Sequence, residues 1–542
     1  MEKEFFSAQY NVEKPLSFSV LTDLHYFSKR NGIEGEAFLK KQKNSQKVLL
    51  ESEEVIKEAF DRLKEEDSDF ILIHGDLTNN GEIFSHEEIY ELLKDLKNAG
   101  KRVFVTYSTH DYRREPEELT YKIGDKVIDV MHIDQIRHRY DEFGYEDAVA
   151  TFDEAGSYAV IPAKGYRLLC LNDDVGNAHA GFKDDHLEWI KEQVAEARKN
   201  NEFIFACEHH PVISPSPLYD IFGGKWDVIE SSRERAAFYA DLGIQLVFTG
   251  HTHIHDISYL VSQKGNLFYD ISTSALPGYP PCYRKIVLDP DNEVCHVNTV
   301  VLDKSRYLPE IEDLPLFLKK NFLGMIEEVV TSGAAGDIPR FSALLYGMSV
   351  RDNDIKKIKP FVKPVCKWLS KLTIGKVGNW TRKETGLKKK DYADMKKELA
   401  LPYMVDLAAG LYGGDPAYSP DTVKYKITMG LISIIDSLLV DTLKINLKAK
   451  LKYGTVSELI DPLVYNAGIP DYDTDIDLDN ARAFEKLYKE GGYQPPFKSH
   501  KGPWIIATIA LIAVLLLPIE IPVGIIVGLI LLIKKAGKKK DK

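Results

Sequence analysis

The chain has 542 residues, of which 44% are hydrophobic and 28% are charged, and its formal net charge is -12 at pH 7. This composition excludes a disordered polypeptide, and the length predicts two or three domains rather than one compact core. The acidic balance argues against a nucleic-acid partner, because a phosphate backbone would be repelled.

From Phe18 to about Val301, short apolar runs alternate with helical patterns, which is typical of an α/β domain. Strands are predicted at 18–21, 70–73, 102–105, 166–171, 203–206 and 245–248. Helices are predicted between them at 45–64, 86–98, 184–199 and 231–242. After Gly265 the pattern changes to hairpin-like strands at 267–272, 283–288 and 294–301. These elements define a predicted α/β domain over residues 1–305.

Residues 306–500 are predicted to form a mostly helical domain, which contains no recognisable catalytic constellation. The apolar runs 429–439 and 443–451 within it need a partner surface. The five cysteines lack any CxxC spacing, so a disulfide framework or a zinc knuckle is not expected and a reducing compartment fits. Residues 1–14 show no apolar stretch of a secretory signal.

Residues 501–542 are predicted to form a hydrophobic membrane segment with a basic tail. The run 504–533 contains a single charge, Glu520, and is divided by Pro518 and Pro522. A straight helix of that length would reach about 45 Å, beyond a hydrocarbon core of about 30 Å, so a hairpin is favoured over a single span. The lysines that follow predict a cytoplasmic face and membrane lipid as a partner, with the α/β domain in the cytoplasm. A buried helix pair of a soluble protein is the alternative.

Polar clusters follow directly on the predicted strands. Ligands of open α/β sheets collect beyond the carboxyl ends of strands, so we expect these side chains to converge. Side chains two apart on an extended segment point the same way and can reach one ion. The convergence predicts a site for two divalent metal ions, with Mn, Fe, Zn or Mg as candidates. The clusters are Asp23/His25, Gly75-Asp76, Ser108-Thr109-His110-Asp111, His209-His210-Pro211 and His251/His253.

Such a site suits hydrolysis of a phosphate mono- or diester by attack of metal-bound hydroxide on phosphorus. The ions neutralise phosphoryl oxygens and generate the nucleophile near neutral pH. Asp76 follows a glycine that permits a close approach of the backbone, and its carboxylate is expected to bridge the ions. The predicted activity is therefore that of a metal-dependent phosphoric ester hydrolase.

The series DxH, GD, HD, HHP and GHTH resembles the calcineurin-like metallophosphoesterase family over roughly residues 15–300. The resemblance implies a two-sheet α/β/β/α sandwich around a dinuclear site. It also implies that His110 assists the leaving group and that Asp111 orients His110. The ligands implied for the first ion are Asp23, His25, Asp76 and His253, and those for the second are Asp76, His209 and His251. The segment 75–82 also resembles members that act on small phosphodiesters or nucleotides.

One position departs from the family pattern, because Thr109 stands where the family usually has asparagine. A hydroxyl is a poorer ligand on a shorter arm than an amide oxygen, so weaker binding of the second ion is expected. Two other functions remain open at this stage. One is a membrane-associated scaffold with a degenerate site, and the other is a zinc amidohydrolase-type enzyme that uses the HxH pair.

Overall fold

The structure is a computed structural model that describes residues 3, 5–43, 45–176, 180–217, 219, 227–346, 352–415, 418–442, 453–466, 468–488 and 493–497. Two β-sheets pack face to face, and helices cover their outer faces. The strands are β1 (Leu16–Leu21), β2 (Phe70–His74), β3 (Val103–Thr106), β4 (Thr120–Ile123), β5 (Lys126–Asp129), β6 (Ala150–Phe152), β7 (Ser157–Val160), β8 (Tyr166–Cys170), β9 (Phe203–Cys207), β10 (Leu246–Thr249), β11 (Asp256–Val261), β12 (Leu267–Ser272), β13 (Cys282–Asp289), β14 (Val294–Val301) and β15 (Thr474–Asp477).

The first sheet has the strand order β15-β14-β13-β1-β2-β3, and the second has the order β11-β12-β10-β9-β8-β7-β6. The strands β1, β2 and β3 run parallel, as do β8, β9, β10 and β12. A separate hairpin is formed by β4 and β5. The parallel strands of each sheet end on the same edge, and this edge carries the polar clusters.

The α-helices lie outside the sheets or in the C-terminal part of the chain. They are α1 (Glu36–Lys43), α2 (Ser52–Glu65), α3 (Ile83–Asn98), α4 (Ile133–Ile136), α5 (Asp184–Asn200), α6 (Ser232–Leu242), α7 (Leu314–Ala335), α8 (Ile338–Tyr346), α9 (Asp352–Leu369), α10 (Ile374–Trp380), α11 (Arg382–Thr385), α12 (Ala400–Gly413), α13 (Val423–Asp436), α14 (Val456–Val464) and α15 (Asn480–Leu487).

Aromatic side chains fill the space between the two sheets. The ring of Phe18 on β1 lies 5.5 Å from that of Phe205 on β9 and 5.4 Å from that of Phe248 on β10. Each buried ring contributes roughly 1.5–3 kcal/mol, so this layer fixes the two sheets against each other. Helices α2, α3 and α7 cover the outer face of the first sheet, and α5 and α6 cover that of the second.

The predicted pair of sheets and the helical region are confirmed, and each predicted strand exists with its ends shifted by at most two residues. The helix predicted at 45–64 is wrong at its start, because α2 begins at Ser52. The backbone N–H of Val48 donates to Pro277 O at 3.0 Å, and that of Leu50 donates to Gln42 Oε1 at 3.1 Å. Because these donors bond outside the helix, residues 45–51 form a connector between α1 and α2.

The helical region also contributes to the first sheet. Strand β15 pairs antiparallel with β14, with Val294 opposite Asp477. The division into domains at residue 305 stays a prediction, and the sheet itself contains strands from both sides of it.

Among the described residues, no helix combines the length and the apolar character that a membrane crossing requires. The predicted membrane segment at 501–542 lies outside the described residues, and so does the apolar run 443–451. The membrane prediction is therefore carried by the sequence alone.

Candidate metal centre

The carboxyl ends of five parallel strands meet at one point between the sheets. Strands β1, β2 and β3 approach from the first sheet, and β9 and β10 approach from the second. The loops that follow these strands bring together the predicted site residues Asp23, His25, Asp76, His110, His209, His251 and His253. Side chains from both sheets therefore face a common centre.

Most of the predicted ligands have a backbone conformation that side-chain-bearing residues rarely adopt. The φ angles are 51° at Asp23, 42° at His25, 50° at Asp76, 63° at His251 and 59° at His253. Such left-handed residues cost about 1–3 kcal/mol each and persist where the surrounding structure holds them. Here His25 N–H donates to Asp76 O at 2.9 Å and so ties the ends of β1 and β2 together. The strain is concentrated at the predicted ligands.

Two glycines permit the close approach of the loops. Gly75 has a φ of 79°, and a Cβ atom there would collide with the ring of His209. A Cβ atom on Gly250 would collide with the Asp23 carboxylate. The glycine of each motif therefore gives room to a predicted ligand from a different motif.

The two oxygens of the Asp23 carboxylate have different contacts. Its Oδ2 accepts the backbone N–H of His251 at 2.9 Å. Its Oδ1 lies 3.2 Å from His253 Nε2 and 3.4 Å from His25 Nε2. One oxygen thus fixes the loop after β10, while the other faces the centre.

The Asp76 carboxylate is arranged in the same way. Its Oδ1 accepts the backbone N–H of His110 at 3.2 Å. Its Oδ2 lies 3.2 Å from His209 Nε2 and 3.7 Å from His25 Nε2. Asp76 therefore faces ligands of both predicted ions, as the bridging role requires.

Within the part of the chain that the structure describes, three groups of side chains have ligand atoms close enough to hold one cation. They are Asp23, His25 and His253; His25, Asp76 and His110; and Asp76, His209 and His251, with the ligand atoms of each group within 4.8 Å of one another. The first and third groups correspond to the two predicted ligand sets, apart from Asp76 in the first.

The donors fit a pair of divalent cations. Asp23 Oδ1 and both ring nitrogens of His209 are buried without a hydrogen bond to any described residue. Burial raises the pKa of Asp23, but His209 and the other histidines more than offset this, and the pKa lies well below its usual value. Burial also lowers the pKa of His209, but Asp76 and Asp23 reverse this and raise it to about 10, so a cation would displace a proton from this ring. Two ionised carboxylates surrounded by imidazoles form an oxygen and nitrogen donor set for Mn, Fe or Zn.

His110 lies beside this centre, with its ring 5.2 Å from that of His25. Its Nδ1 donates to Asn79 O at 2.6 Å, so Nε2 is the ring nitrogen left to exchange a proton. Burial lowers its pKa to about 4, and Lys47 adds to this while Asp76 opposes it. The His110 ring is held by a carbonyl of the loop after β2.

Among the described residues, the Asp111 carboxylate does not contact the His110 ring, so its expected role in orienting His110 stays a prediction. The Asp111 carboxylate accepts the N–H of Thr78 at 2.8 Å and that of Ser108 at 3.0 Å. Both oxygens are committed to backbone, so the carboxylate shapes the loop rather than contacting the His110 ring. Burial, with Asp76 nearby, raises the pKa of Asp111 to about 7.

Sequence reasoning missed two residues that contact ligand histidines. Gln46 Oε1 lies 3.1 Å from His253 Nδ1, and Lys47 Nζ lies 2.6 Å from His25 Nδ1. Lys47 is only 8% exposed, and burial lowers its pKa to about 8. Both residues belong to the connector 45–51, which the helical pattern had placed inside a helix.

His210 contacts the site from the other side. Its Nδ1 lies 3.1 Å from Asp173 Oδ1, and its ring lies 4.0 Å from that of His251. Asp173 follows β8, and its position after a strand was the only sequence feature that could have indicated it.

Thr109 is the position that departs from the family pattern. Its backbone carbonyl accepts from Arg113 Nη1 at 2.9 Å.

Residues 16–255 match the family model of the calcineurin-like phosphoesterases. The chain carries a calcineurin-like phosphoesterase domain. The resemblance inferred from the motifs is confirmed, and the domain is that of a metal-dependent phosphoric ester hydrolase. No curated protein is significantly similar to this chain in sequence.

Solved phosphatase structures align with about half of this chain at low identity. A dimetal phosphatase from Danio rerio is 12% identical with a TM-score of 0.37, and the alignment covers 53% of this chain and 96% of that one. A purple acid phosphatase from yellow lupin (Lupinus luteus) seeds is 12% identical with a TM-score of 0.36, over 55% of this chain and 54% of that one. A phosphatase from Mycoplasma pneumoniae is 14% identical with a TM-score of 0.28, over 55% of this chain and 98% of that one.

Proposed function

We propose that the protein hydrolyses phosphate mono- or diesters at this centre with two divalent cations. Asp23, His25 and His253 would hold the first ion, His209 and His251 the second, and Asp76 would bridge them. The observation that carries the proposal is the inward placement of Asp23 Oδ1 and Asp76 Oδ2 among these imidazoles. When bound, the ion pair would neutralise phosphoryl oxygens and acidify the attacking water.

The remaining chemistry falls to His110. Because its Nδ1 hydrogen is committed to Asn79 O, proton exchange with the substrate occurs at Nε2. An anionic phosphate beside the ring favours the imidazolium and opposes the effect of burial. His110 Nε2 is thereby suited to give a proton to the leaving oxygen during in-line displacement.

The test is hydrolysis of 4-nitrophenyl phosphate and bis(4-nitrophenyl) phosphate with added Mn²⁺, Fe²⁺, Zn²⁺ or Mg²⁺. Wild-type protein should release nitrophenol from at least one ester. Asp76→Asn should abolish this, and His110→Ala should lower kcat by about 10²–10⁴-fold. His296→Ala is the matched control, because this partly exposed ring on β14 pairs with Asp475 and belongs to none of the three metal-binding groups. Equal rates for Asp76→Asn and wild type would contradict the proposal.

We further propose that residues 504–533 associate with the cytoplasmic face of a membrane. Support comes from the single charge in this run and the lysines at 534–542. The full chain should cosediment with phosphatidylcholine vesicles, and more strongly when phosphatidylserine is added. Leu515→Glu should weaken binding to both vesicle types. Recovery of wild-type protein in the supernatant with both would contradict the membrane proposal and leave the hydrolytic one intact.

A further inference from the structure

The connector 45–51 carries a side chain that determines which nitrogen of His253 faces the centre. Gln46 Oε1 lies 3.1 Å from His253 Nδ1. An amide oxygen only accepts, so in the neutral ring the proton is on Nδ1 and Nε2 is left with its lone pair. That Nε2 lies 3.2 Å from Asp23 Oδ1. The contact selects the tautomer of His253 that can bind a cation.

The orientation of the Gln46 amide is fixed by the helical region. Its Nε2 donates to the hydroxyl of Tyr412 at 3.0 Å. With the Tyr412 oxygen accepting from Gln46 Nε2, the amide oxygen is the end that faces His253. Without Tyr412, nothing in this pair of contacts would prevent the amide from turning its N–H₂ group toward the imidazole.

Tyr412 is itself held on several sides. It belongs to α12, and its backbone carbonyl accepts the N–H of His255 at 3.0 Å. Its ring lies 4.7 Å from that of Phe322 on α7, and its hydroxyl lies 3.3 Å from that of Tyr219. The hydroxyl therefore has a fixed position relative to the loop after β10.

A second contact ties the same connector to the helical region. Asn321 Nδ2 on α7 donates to Ser45 O at 3.2 Å. The residue before Gln46 is thus anchored by one helix of the region, and the Gln46 side chain by another. Helices α7 and α12, to which sequence patterns assigned no role, therefore contact the connector that determines the tautomer of His253.

We propose that Tyr412 and Gln46 are positioning residues of the metal centre, through which the helical region orients His253 toward the first ion. This inference rests on the proposed function, since it assigns His253 to that ion. The helical region then acts as part of the catalytic unit rather than as a separate module.

Tyr412→Phe removes only the hydroxyl that orients Gln46. Partners of metal-bound histidines affect metal affinity by about 10–100-fold, so this variant should bind one of two Mn²⁺ ions about tenfold more weakly by calorimetry. Tyr403→Phe is the matched control, because Tyr403 lies on the same helix and its hydroxyl contacts Thr428 at 2.8 Å, within the helical region. Its Mn²⁺ affinity should equal that of wild type.

A double-mutant cycle tests whether Tyr412 acts on the metal centre through Gln46, which we call the relay, or whether the two side chains act independently. Gln46→Leu should weaken Mn²⁺ binding at least as much as Tyr412→Phe, and Gln46→Leu/Tyr412→Phe should be no weaker than Gln46→Leu alone. Additive effects, or a Tyr412→Phe variant with wild-type affinity, would overturn the inference. Urea midpoints for all variants establish that each is folded.

The outcome for Tyr412 can be distinguished from that for the hydrolytic function. If wild-type protein binds Mn²⁺ but cleaves no ester, the proposed function fails while the affinity pattern still decides the relay. If wild-type protein is active and Tyr412→Phe binds Mn²⁺ normally, the relay alone fails. Where both hold, Tyr412→Phe should lower kcat at saturating Mn²⁺ without a matching change in KM.

Discussion

Lys47 Nζ lies 2.6 Å from His25 Nδ1, and this contact determines which nitrogen of His25 carries the proton. An ammonium group can only donate, so Nδ1 accepts and the neutral ring carries its proton on Nε2. That Nε2 lies 2.9 Å from His253 Nε2, which is free to accept because His253 Nδ1 donates to Gln46. A proton therefore occupies the position on His25 that a cation needs.

The first prediction is that cation binding by His25 expels this proton from the Lys47–His25 pair. Calorimetric titration with Mn²⁺ at pH 7, repeated in buffers of different ionisation enthalpy, measures the number of protons released. Lys47→Met removes the donor and lets His25 place its proton on Nδ1. This variant should release about one proton fewer per protein than wild type. Equal proton release by the two proteins would contradict the tautomer assigned here.

The second prediction concerns the close approach of Gly75 to His209. Gly75→Ala should cost about 1–2 kcal/mol for the left-handed backbone, and its methyl group should also displace the His209 ring. Gly100→Ala provides the control, because Gly100 has a φ of 85° and no neighbour within 4 Å of an added Cβ. Both variants should lose stability to urea, but only Gly75→Ala should lose affinity for Mn²⁺. Normal Mn²⁺ binding by Gly75→Ala would show that His209 is not a ligand.

The site residues that could be predicted from the sequence are those that follow a recognisable local pattern. Asp23, His25 and Asp76 each follow an apolar strand within a few positions, and the carboxyl ends of parallel strands meet. For that reason the sheets and the convergence of the ligand set could be predicted without coordinates. The left-handed backbone at these residues has only a weak signal in residue type, because Asp and His adopt it more often than most side chains but still do so rarely.

The residues that were missed depend on contacts that are distant in the chain. Gln46 and Lys47 fell inside a helical pattern, and the true start of α2 at Ser52 depends on acceptors such as Pro277 O. Tyr412 contacts Gln46 across 366 positions, and apolar periodicity could place it only on a helix. Hydrogen bonds between segments that are distant in the chain therefore form the part of the site that sequence patterns did not reveal.

The third prediction concerns Thr109, which replaces the asparagine usual in this family. Thr109→Asn should tighten binding of the second Mn²⁺ ion by about tenfold, equivalent to about 1.4 kcal/mol, because it adds an amide oxygen. Thr109→Val keeps the shape and removes the hydroxyl, and it tests whether the hydroxyl itself is a ligand. The prediction is wrong if calorimetry gives Thr109→Asn and wild type the same second affinity.

The fourth prediction concerns the pH dependence of stability, and it follows from His86 on α3. His86 Nε2 donates to Asp111 O at 2.7 Å, and Tyr140 Oη lies 2.7 Å from Nδ1 and donates to it. The ring is fully buried, and burial lowers its pKa from 6.5 to about 4. A proton on Nδ1 would prevent this nitrogen from accepting the Tyr140 hydroxyl hydrogen and would place a charge in the core.

A lowered histidine pKa means that the unfolded chain binds the proton more tightly than the folded one. The contribution of His86 is therefore complete above pH 6.5 and is lost as the pH falls toward 4. The shift corresponds to about 3 kcal/mol at about 1.4 kcal/mol per pH unit. His86→Gln keeps a donor to Asp111 O and does not titrate, so it should be less stable than wild type at pH 7 but lose less stability between pH 7 and pH 5. Urea midpoints at the two pH values, measured with EDTA present, check this. Because the remaining histidines titrate in both proteins, identical losses would show that His86 does not couple folding to protonation.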